Sequence, residues 1–408
     1  MELRPGYKQT EVGAIPEDWD VVLLDSVSRR ASGHTPDKAH PEYWGGDIKW
    51  VSLADSHRLD DLYIDETTAT ITAKGIANSS ANILPAGCCV VSRDAGVGKS
   101  AVLAEKMAVS QHFMAWYCGP SLNNHYLYFL LQAMKPELER IAIGNTIKTI
   151  GLPYFKSLRV PLPSVVEQQS IASALLDVDQ LTRELAACIA KKRNIKQAAI
   201  QELLTGKRRL PGFQGEWAEV SLGSVAAMNS GGTPPTGRDD FYGGGIQWVS
   251  ISDMTSSGRF ISETERTLSD LGLANCAAKR FPAGTILYAI YASLGECSMA
   301  AREVTTSQAI LGIRPGPSLV GEYLYYWLES IRGAVKLMGQ QGTQSNLNKK
   351  IVQGFSLGLP SKPEQAAIAK ALGEIDQDID ALKDKAEKTR ALKVGMMQQL
   401  LTGKIRLR

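Results

Sequence analysis

The chain has 408 residues, 44% of them hydrophobic and 21% charged, with a formal net charge of +3. This is ordinary globular composition, long enough for two or more domains with their own cores, and it excludes a disordered or fibrous protein. Its mild basicity permits a polyanionic partner without demanding one.

Met1 to Asp20 is charged and polar, without the apolar stretch of a signal peptide. No segment approaches about 18 uninterrupted apolar residues, so the chain reads as soluble and cytoplasmic. From residue 19 to 160, short runs such as Ile48 to Leu53 and Cys88 to Ser92 are rich in Val, Ile, Tyr and Trp and are broken by Gly, Pro, Asn and Asp. They predict twisted β structure with turns, interrupted by a helix over Asn124 to Ile143. Pro163-Ser164 then opens a long helix over 164 to 205, with Glu167 placed as the capping-box partner of Ser164, and Gly206 stops it. The succession recurs. A β-rich section from 217 to 358 contains Thr285 to Ala289 and a helix over Gly321 to Met338, and a second long helix over 361 to 402 starts at Pro360-Ser361 with Glu364 and stops at Gly403.

The recurrence is a duplication. Trp19 returns as Trp217, Gly33, Thr35 and Pro36 as Gly231, Thr233 and Pro234, and Ile48, Trp50, Val51, Ser52 and Asp55 as Ile246, Trp248, Val249, Ser250 and Asp253, all at one offset. After a slip of one residue, Pro85-Ala86-Gly87 returns as Pro282-Ala283-Gly284, Ser110-Gln111 as Ser307-Gln308, and Tyr126-Leu127-Tyr128 as Tyr323-Leu324-Tyr325. Leu162-Pro163, Glu167-Gln168 and Leu204-Thr205-Gly206-Lys207 return as Leu359-Pro360, Glu364-Gln365 and Leu401-Thr402-Gly403-Lys404. One fold is therefore present twice, with many residues changed between the matches. A frame kept twice with a surface varied twice suits two unlike recognition faces.

In the second long helix Ile368, Leu372, Ile375, Ile379, Leu382, Ala386 and Thr389 step by four and three alternately, a heptad seam. The first helix places Ile171, Leu175, Val178, Thr182, Leu185, Ile189 and Lys192 at the matching sites, with Thr182 and Lys192 as register markers. An exposed seam of this length is an association liability, so the two seams are expected to face each other as an antiparallel coiled coil. Arg4-Pro5-Gly6-Tyr7 echoes Leu210-Pro211-Gly212-Phe213, so the N-terminal stretch is expected to sit after the second helix as Pro211 to Glu216 sits after the first, in a pseudo-twofold circular arrangement. The fold class is α+β: two tandem-repeat globular α/β domains, 1–160 and 210–358, separated by helices at 161–209 and 359–408. A helix of about 40 residues is roughly 60 Å long, against about 34 Å per turn of duplex DNA. Such helices would act as a ruler between two reading heads.

The helix starts Leu-Pro-Ser…Glu-Gln-Gln at 162 to 169 and Leu-Pro-Ser…Glu-Gln-Ala at 359 to 366, the helix ends Leu-Leu-Thr-Gly-Lys, the Gly-x-Thr-Pro of each section and the early Ile15-Pro16-Glu17-Asp18-Trp19 are together specific, though none is so alone. In their order and duplication the chain resembles, over essentially its whole length, the specificity subunit (S, HsdS) of type I restriction-modification enzymes. The resemblance implies that each globular domain is a target recognition domain reading half of an interrupted sequence in double-stranded DNA. It also implies that the helices dock two modification (methyltransferase) subunits, which restriction (motor-nuclease) subunits join. The chain itself would be non-catalytic, with no cofactor of its own. Adenine N6 methylation with S-adenosylmethionine, and cleavage with ATP and Mg2+, would belong to its partners.

Motifs suggesting other chemistry are incomplete. Gly96-Val97-Gly98-Lys99-Ser100 looks like the end of a phosphate-binding loop, but its first Gly would fall at Arg93, the partner copy reads Leu294-Gly295-Glu296, and strand-like residues flank it. Asp37, Asp47 and Lys49 mimic the acid-acid-lysine order of a metal-dependent nuclease, and the partner copy lacks the acids. The five histidines, His34, His40, His57, His112 and His125, are scattered, no methyltransferase motif appears, and metal ligation is not expected. The six cysteines, Cys88, Cys89, Cys118, Cys188, Cys276 and Cys297, have no regular spacing and read as reduced thiols.

Candidate DNA contacts are polar or basic positions between β runs that differ between the copies. In the first they are Lys38, Lys49, Arg58, Arg93, Lys99 and Lys148; in the second, Arg238, Gln247, Arg259, Tyr291, Gln344, Asn346 and Lys349. Arg and Lys pair with guanine or phosphate, Asn and Gln with adenine, although a solvated surface accounts for any one of them equally well. Ser110-Gln111 and Ser307-Gln308, held constant between two readers, read as structural. Lys191-Lys192-Arg193 and Lys207-Arg208-Arg209 fit the DNA backbone, a solvated face or a partner contact. Two other readings stay open: a scaffold without base specificity, and a stand-alone nuclease.

Overall fold

The computed structural model describes residues 4–144, 148–341 and 346–408. The chain divides into two compact units, Met1–Ala186 with Lys385–Arg408, and Ala187–Asp384.

In the first unit a five-stranded sheet runs in the order Ser28–Ser32, Phe113–Cys118, Cys89–Ser92, Ser100–Leu103, Tyr63–Ile64. Its central strands read as unbroken apolar runs because both faces are covered. Cys89, Val91, Val102, Met114 and Trp116 pack with the helix Asn124–Ile141. The alternate residues Cys88, Val90, Ala101, Leu103, Phe113 and Ala115 pack with Val51, Leu84 and Met107 of a smaller sheet. Period-two alternation thus sorts each strand between two cores. On the helix, Tyr126 to Leu131 are all buried, and the Tyr126 hydroxyl donates to the Pro161 carbonyl at 3.0 Å.

The second unit repeats this plan. Ala226–Ser230, Ile310–Pro315, Ile286–Ala289, Cys297–Ala300 and Phe260–Ile261 form the sheet. Ile286 and Tyr288 face the helix Gly321–Gln341, while Leu287 and Ala289 face the other core. The likeness extends to an irregularity: Trp44–Val51 and Tyr242–Val249 each carry a register shift, at Trp44/Ile48 and Tyr242/Ile246.

The long helices span Val165–Leu203 and Lys362–Leu400. Within the first unit Lys393, late in the second helix, pairs with Asp179, early in the first, and lies 5.6 Å from the Phe129 ring. Within the second unit Lys196, late in the first helix, pairs with Asp376 at 2.8 Å and lies 5.4 Å from the Tyr326 ring. In the second unit the partner falls from Asp378 to Asp376 as the first helix advances from Lys192 to Lys196, so the two segments run antiparallel there. Lys192, read from sequence as a register marker, joins Asp378 at 2.6 Å. The seams are shared between two surroundings. Ile171 and Leu175 enter the first unit's core with Leu400 and Leu401, and Ile368 and Leu372 enter the second unit's core with Ile200, Leu203 and Leu204. Farther along, Leu185, Ile379 and Ala386 are buried, and Val178, Ile189, Ile375 and Leu382 half-buried.

The capping boxes differ from expectation. The Ser164 hydroxyl accepts from the Glu167 N–H at 3.2 Å, but the Glu167 carboxylate turns inward, accepting from Trp19 Nε1 at 3.0 Å and from Arg406 at 2.6 and 2.8 Å. Glu364 takes Arg209 in the same way. A buried carboxylate with a guanidinium in reach gains more there than from one backbone N–H. The adjacent Gln168 and Gln365 bind the loops ahead of the cross-helices: Gln168 accepts from Asn123 N–H and Gln365 from Val320 N–H, each at 2.8 Å. The predicted closure of residues 4–19 onto the second helix's end is present. The Tyr7 hydroxyl donates to the Gly403 carbonyl at 2.6 Å, and Arg406 holds Asp18 at 2.8 Å. Gly6 and Gly212 match at φ +82° and +88°.

Candidate nucleic-acid interface

In the first unit the strand ends at Ser32 and Ser92 and the strand start at Phe113 share one edge, since Ser32 pairs with Met114 and Ser92 with Phe113. Three loops meet there. Thr35 Oγ1 donates to Gln111 Oε1 at 2.6 Å, the Arg93 N–H donates to the His112 carbonyl and the Ile150 N–H to the Arg93 carbonyl, each at 2.9 Å. The second unit rebuilds this edge: Thr233 bonds Gln308, Ile290 N–H reaches Ala309 O at 2.9 Å, and Leu347 N–H reaches Ile290 O at 3.0 Å. The repeated Ser-Gln and Thr-Pro segments are therefore frame, as their constancy suggests.

Gly96 to Ser100 forms a hairpin turn. Gly96 and Gly98 have φ of +91° and +82°, the Gly98 N–H returns to Ser92 O at 2.9 Å, and the chain enters the strand Ser100–Leu103. A phosphate loop requires a helix at that point.

The sequence-predicted contacts fall into two groups. Lys38, Lys148, Asn346 and Lys349 are exposed, as is Tyr291 at 39%. The others have partners inside their own unit. Lys49 Nζ pairs with Glu105 and donates to the Asp65 carbonyl at 2.5 Å, and the Glu105 bond, against the burial cost, raises its pKa above the ordinary lysine value. Lys99 donates to Ser56 O at 2.9 Å, Arg93 to Ile150 O at 3.0 Å, and Arg259 to the Tyr326 hydroxyl at 2.8 Å. Arg238 grips Asp240 at 2.6 and 2.8 Å, and Gln247 accepts from Thr264 N–H at 2.8 Å; Arg58 is the exception, with a buried Nε that has no hydrogen-bond partner among the described residues. Gln344 lies outside the described residues.

Sequence reasoning did not assemble Asp94, His112 and Thr149. Asp94 accepts from His112 Nδ1 at 2.6 Å and also from the Thr149 hydroxyl. The duplicated Ser-Gln just before His112 was the available signal, but the partners lie far apart in sequence. The nuclease-like residues do not converge: Asp37 accepts from its own turn at Ala39 N–H, 2.9 Å, and Lys49 is committed to Glu105. Among the described residues no group of three acidic, His or Cys side chains is placed to hold a metal, and no helix is long and apolar enough to cross a membrane. Burial pushes the Cys88 thiol up to about 12, which keeps it protonated and unreactive.

Two like α+β units, each presenting a changed loop edge on an unchanged frame, define a duplicated recognition chain. The chain belongs to the type I restriction modification DNA specificity domain family, whose model matches it twice, at residues 16–196 and 214–389. It is similar to the type I restriction enzyme MjaIX specificity subunit of Methanocaldococcus jannaschii, 26% identical over 301 residues, 69% of this chain and 68% of that one. It is also similar to the putative MjaX specificity subunit of the same organism, 24% identical over 426 residues, 98% and 97% of the two chains. The crystal structure of a type I restriction-modification S subunit from M. genitalium shares the fold, with a TM-score of 0.61 at 16% identity over 98% of both chains.

Proposed function

We propose that this chain reads a bipartite, interrupted target in double-stranded DNA, one half per unit, as the specificity subunit of a type I restriction-modification complex. The observation that carries the reading is the loop edge: identical frame bonds at Thr35–Gln111 and Thr233–Gln308 beside side chains that differ between the copies. The long helices run through both units, set the spacing between half-sites and dock two modification subunits, which restriction subunits join. The chain is non-catalytic and works in the cytoplasm. S-adenosylmethionine, ATP and Mg2+ are bound by its partners.

The test is a domain exchange. In the assembled methyltransferase, residues 19–160 are replaced by the equivalent section of a relative, and methylated adenines are mapped by sequencing. One half of the motif should change while the other and the spacing stay. If both halves persist unchanged, or the starting complex methylates without sequence preference, the reading fails.

A further inference from the structure

The Asp94–His112–Thr149 cluster has no structural task that its partner copy requires. In the second unit the corresponding residues are Tyr291, Ala309 and Asn346, and among the described residues no side-chain hydrogen bond joins them. Yet the backbone bonds that set these positions are the same, 2.9 Å for Arg93 to His112 and for Ile290 to Ala309, and 2.9 and 3.0 Å for Ile150 to Arg93 and Leu347 to Ile290. The loops therefore hold their places without the side-chain network. What the network does fix is a ring. A carboxylate can only accept, so His112 Nδ1 donates to Asp94. The imidazole is held in one orientation, with Nε2 on the Gln111 side, 3.5 Å from its amide, and the side chain one-third exposed (33%). Thr149, which bonds the other Asp94 oxygen, is itself exposed.

We propose that these three corresponding positions are the base-reading set of each unit, and that their ligand is the edge of a base pair in duplex DNA. This rests on the function proposed above and deepens it. In the first unit His112 and Thr149 offer oriented polar groups, and Asp94 is a positioning residue acting through His112. In the second, Asn346 offers the amide that matches adenine N6 and N7, and Tyr291 an aromatic face suited to a thymine methyl. The chemistry differs because the half-sites differ.

The experiment uses the assembled methyltransferase and maps methylated adenines by sequencing, with thermal melting as a check on folding. His112→Ala copies the residue the second unit carries on the same frame, so the backbone accepts it. It should relax one base pair in one half-site, with discrimination falling roughly ten- to a hundredfold, and leave the other half intact. Asn346→Ala should do the same in the opposite half. Asp94→Asn should relax the same base pair as His112→Ala, with no further loss in the double variant, a coincidence that a mere loop staple would not produce. Should His112→Ala abolish methylation, Thr149→Val decides with the shape kept. Unchanged motifs for His112→Ala and Asn346→Ala, relaxation of the same half by both, or equal weakening on all sequences would each overturn the proposal. A starting complex with no bipartite motif would instead sink the reading on which it rests.

Discussion

The two units close the same joint by different means. In the second unit the first long helix ends at Leu203 and the chain itself continues through Gly206, whose Cα faces the Trp217 ring so that an added Cβ would touch it, while Arg209 binds Glu364. In the first unit the second long helix ends at Leu400, and Gly403 lies against Pro16 and Trp19. There the side carrying Trp19 is distant in sequence, and side chains supply what the peptide link supplies in the other unit. The non-covalent joint uses more polar contacts. Arg406 binds two carboxylates, Glu167 and Asp18, where Arg209 binds one, and Trp19 Nε1 donates to Glu167 where Trp217 Nε1 is buried without a partner. A contact duplicated in sequence is thus reinforced on the side where loop closure is not prepaid by the chain.

The largest expected effect tests whether the shared core beneath the joints is equivalent in both units. Leu175 and Leu372 are both fully buried, at 0%, beneath their respective sheets. Leu175→Ala and Leu372→Ala should each cost about 3 kcal/mol by leaving a cavity, each in the melting transition of its own unit. A large loss in one and none in the other would break the equivalence.

The joint itself comes next. Arg406→Ala leaves Glu167, 3% exposed, without its cation. A fully buried pair broken on one side loses about 3–5 kcal/mol; Arg406 keeps some contact with water, so on the order of 2 kcal/mol is expected. Arg209→Ala should cost less, because the covalent chain still holds Trp217 in place. Chemical denaturation of the two variants compares them directly, and an equal loss would mean that the peptide link contributes nothing to the closure.

Much of this comparison was legible in the sequence, because duplication separates what a frame needs from what it tolerates. The long helices, their glycine stops and the echo of Arg4 to Tyr7 in Leu210 to Phe213 all came from residues kept twice. Features made by distant partners were not legible. Glu167 sits where a capping-box acid belongs, and only the fold brings Arg406 to it. Lys49, Lys99 and Arg259 look like free cations in sequence, because Glu105, the Ser56 carbonyl and Tyr326 are brought to them by strand pairing and packing. His112 looked scattered for the same reason, with Asp94 and Thr149 reaching it from two other loops. Spacing along the chain reads helices well, whereas a polar cluster at a sheet edge is a product of tertiary structure.

The smallest expected effect sharpens the joint's chemistry. Burial raises the pKa of the Glu167 carboxyl, but its bonds from Arg406 and Trp19 outweigh that, and the net shift is below the ordinary value of 4.5. Asp18 is lowered from 3.8 chiefly by its bond from Arg406. In both cases the unfolded chain takes up a proton at a higher pH than the folded one. The stabilisation is therefore complete above the unfolded values and is lost as pH falls below 4.5 and 3.8 toward the folded ones. Melting of the first unit between pH 6 and pH 3 should show this loss, and Arg406→Ala should reduce it, since the guanidinium is the main group that lowers both carboxyls, beside the Trp19 bond to Glu167 and Arg408 next to Asp18. If the variant keeps the full acid slope, the first unit's joint is held by packing of Trp19 on Gly403 and not by charge.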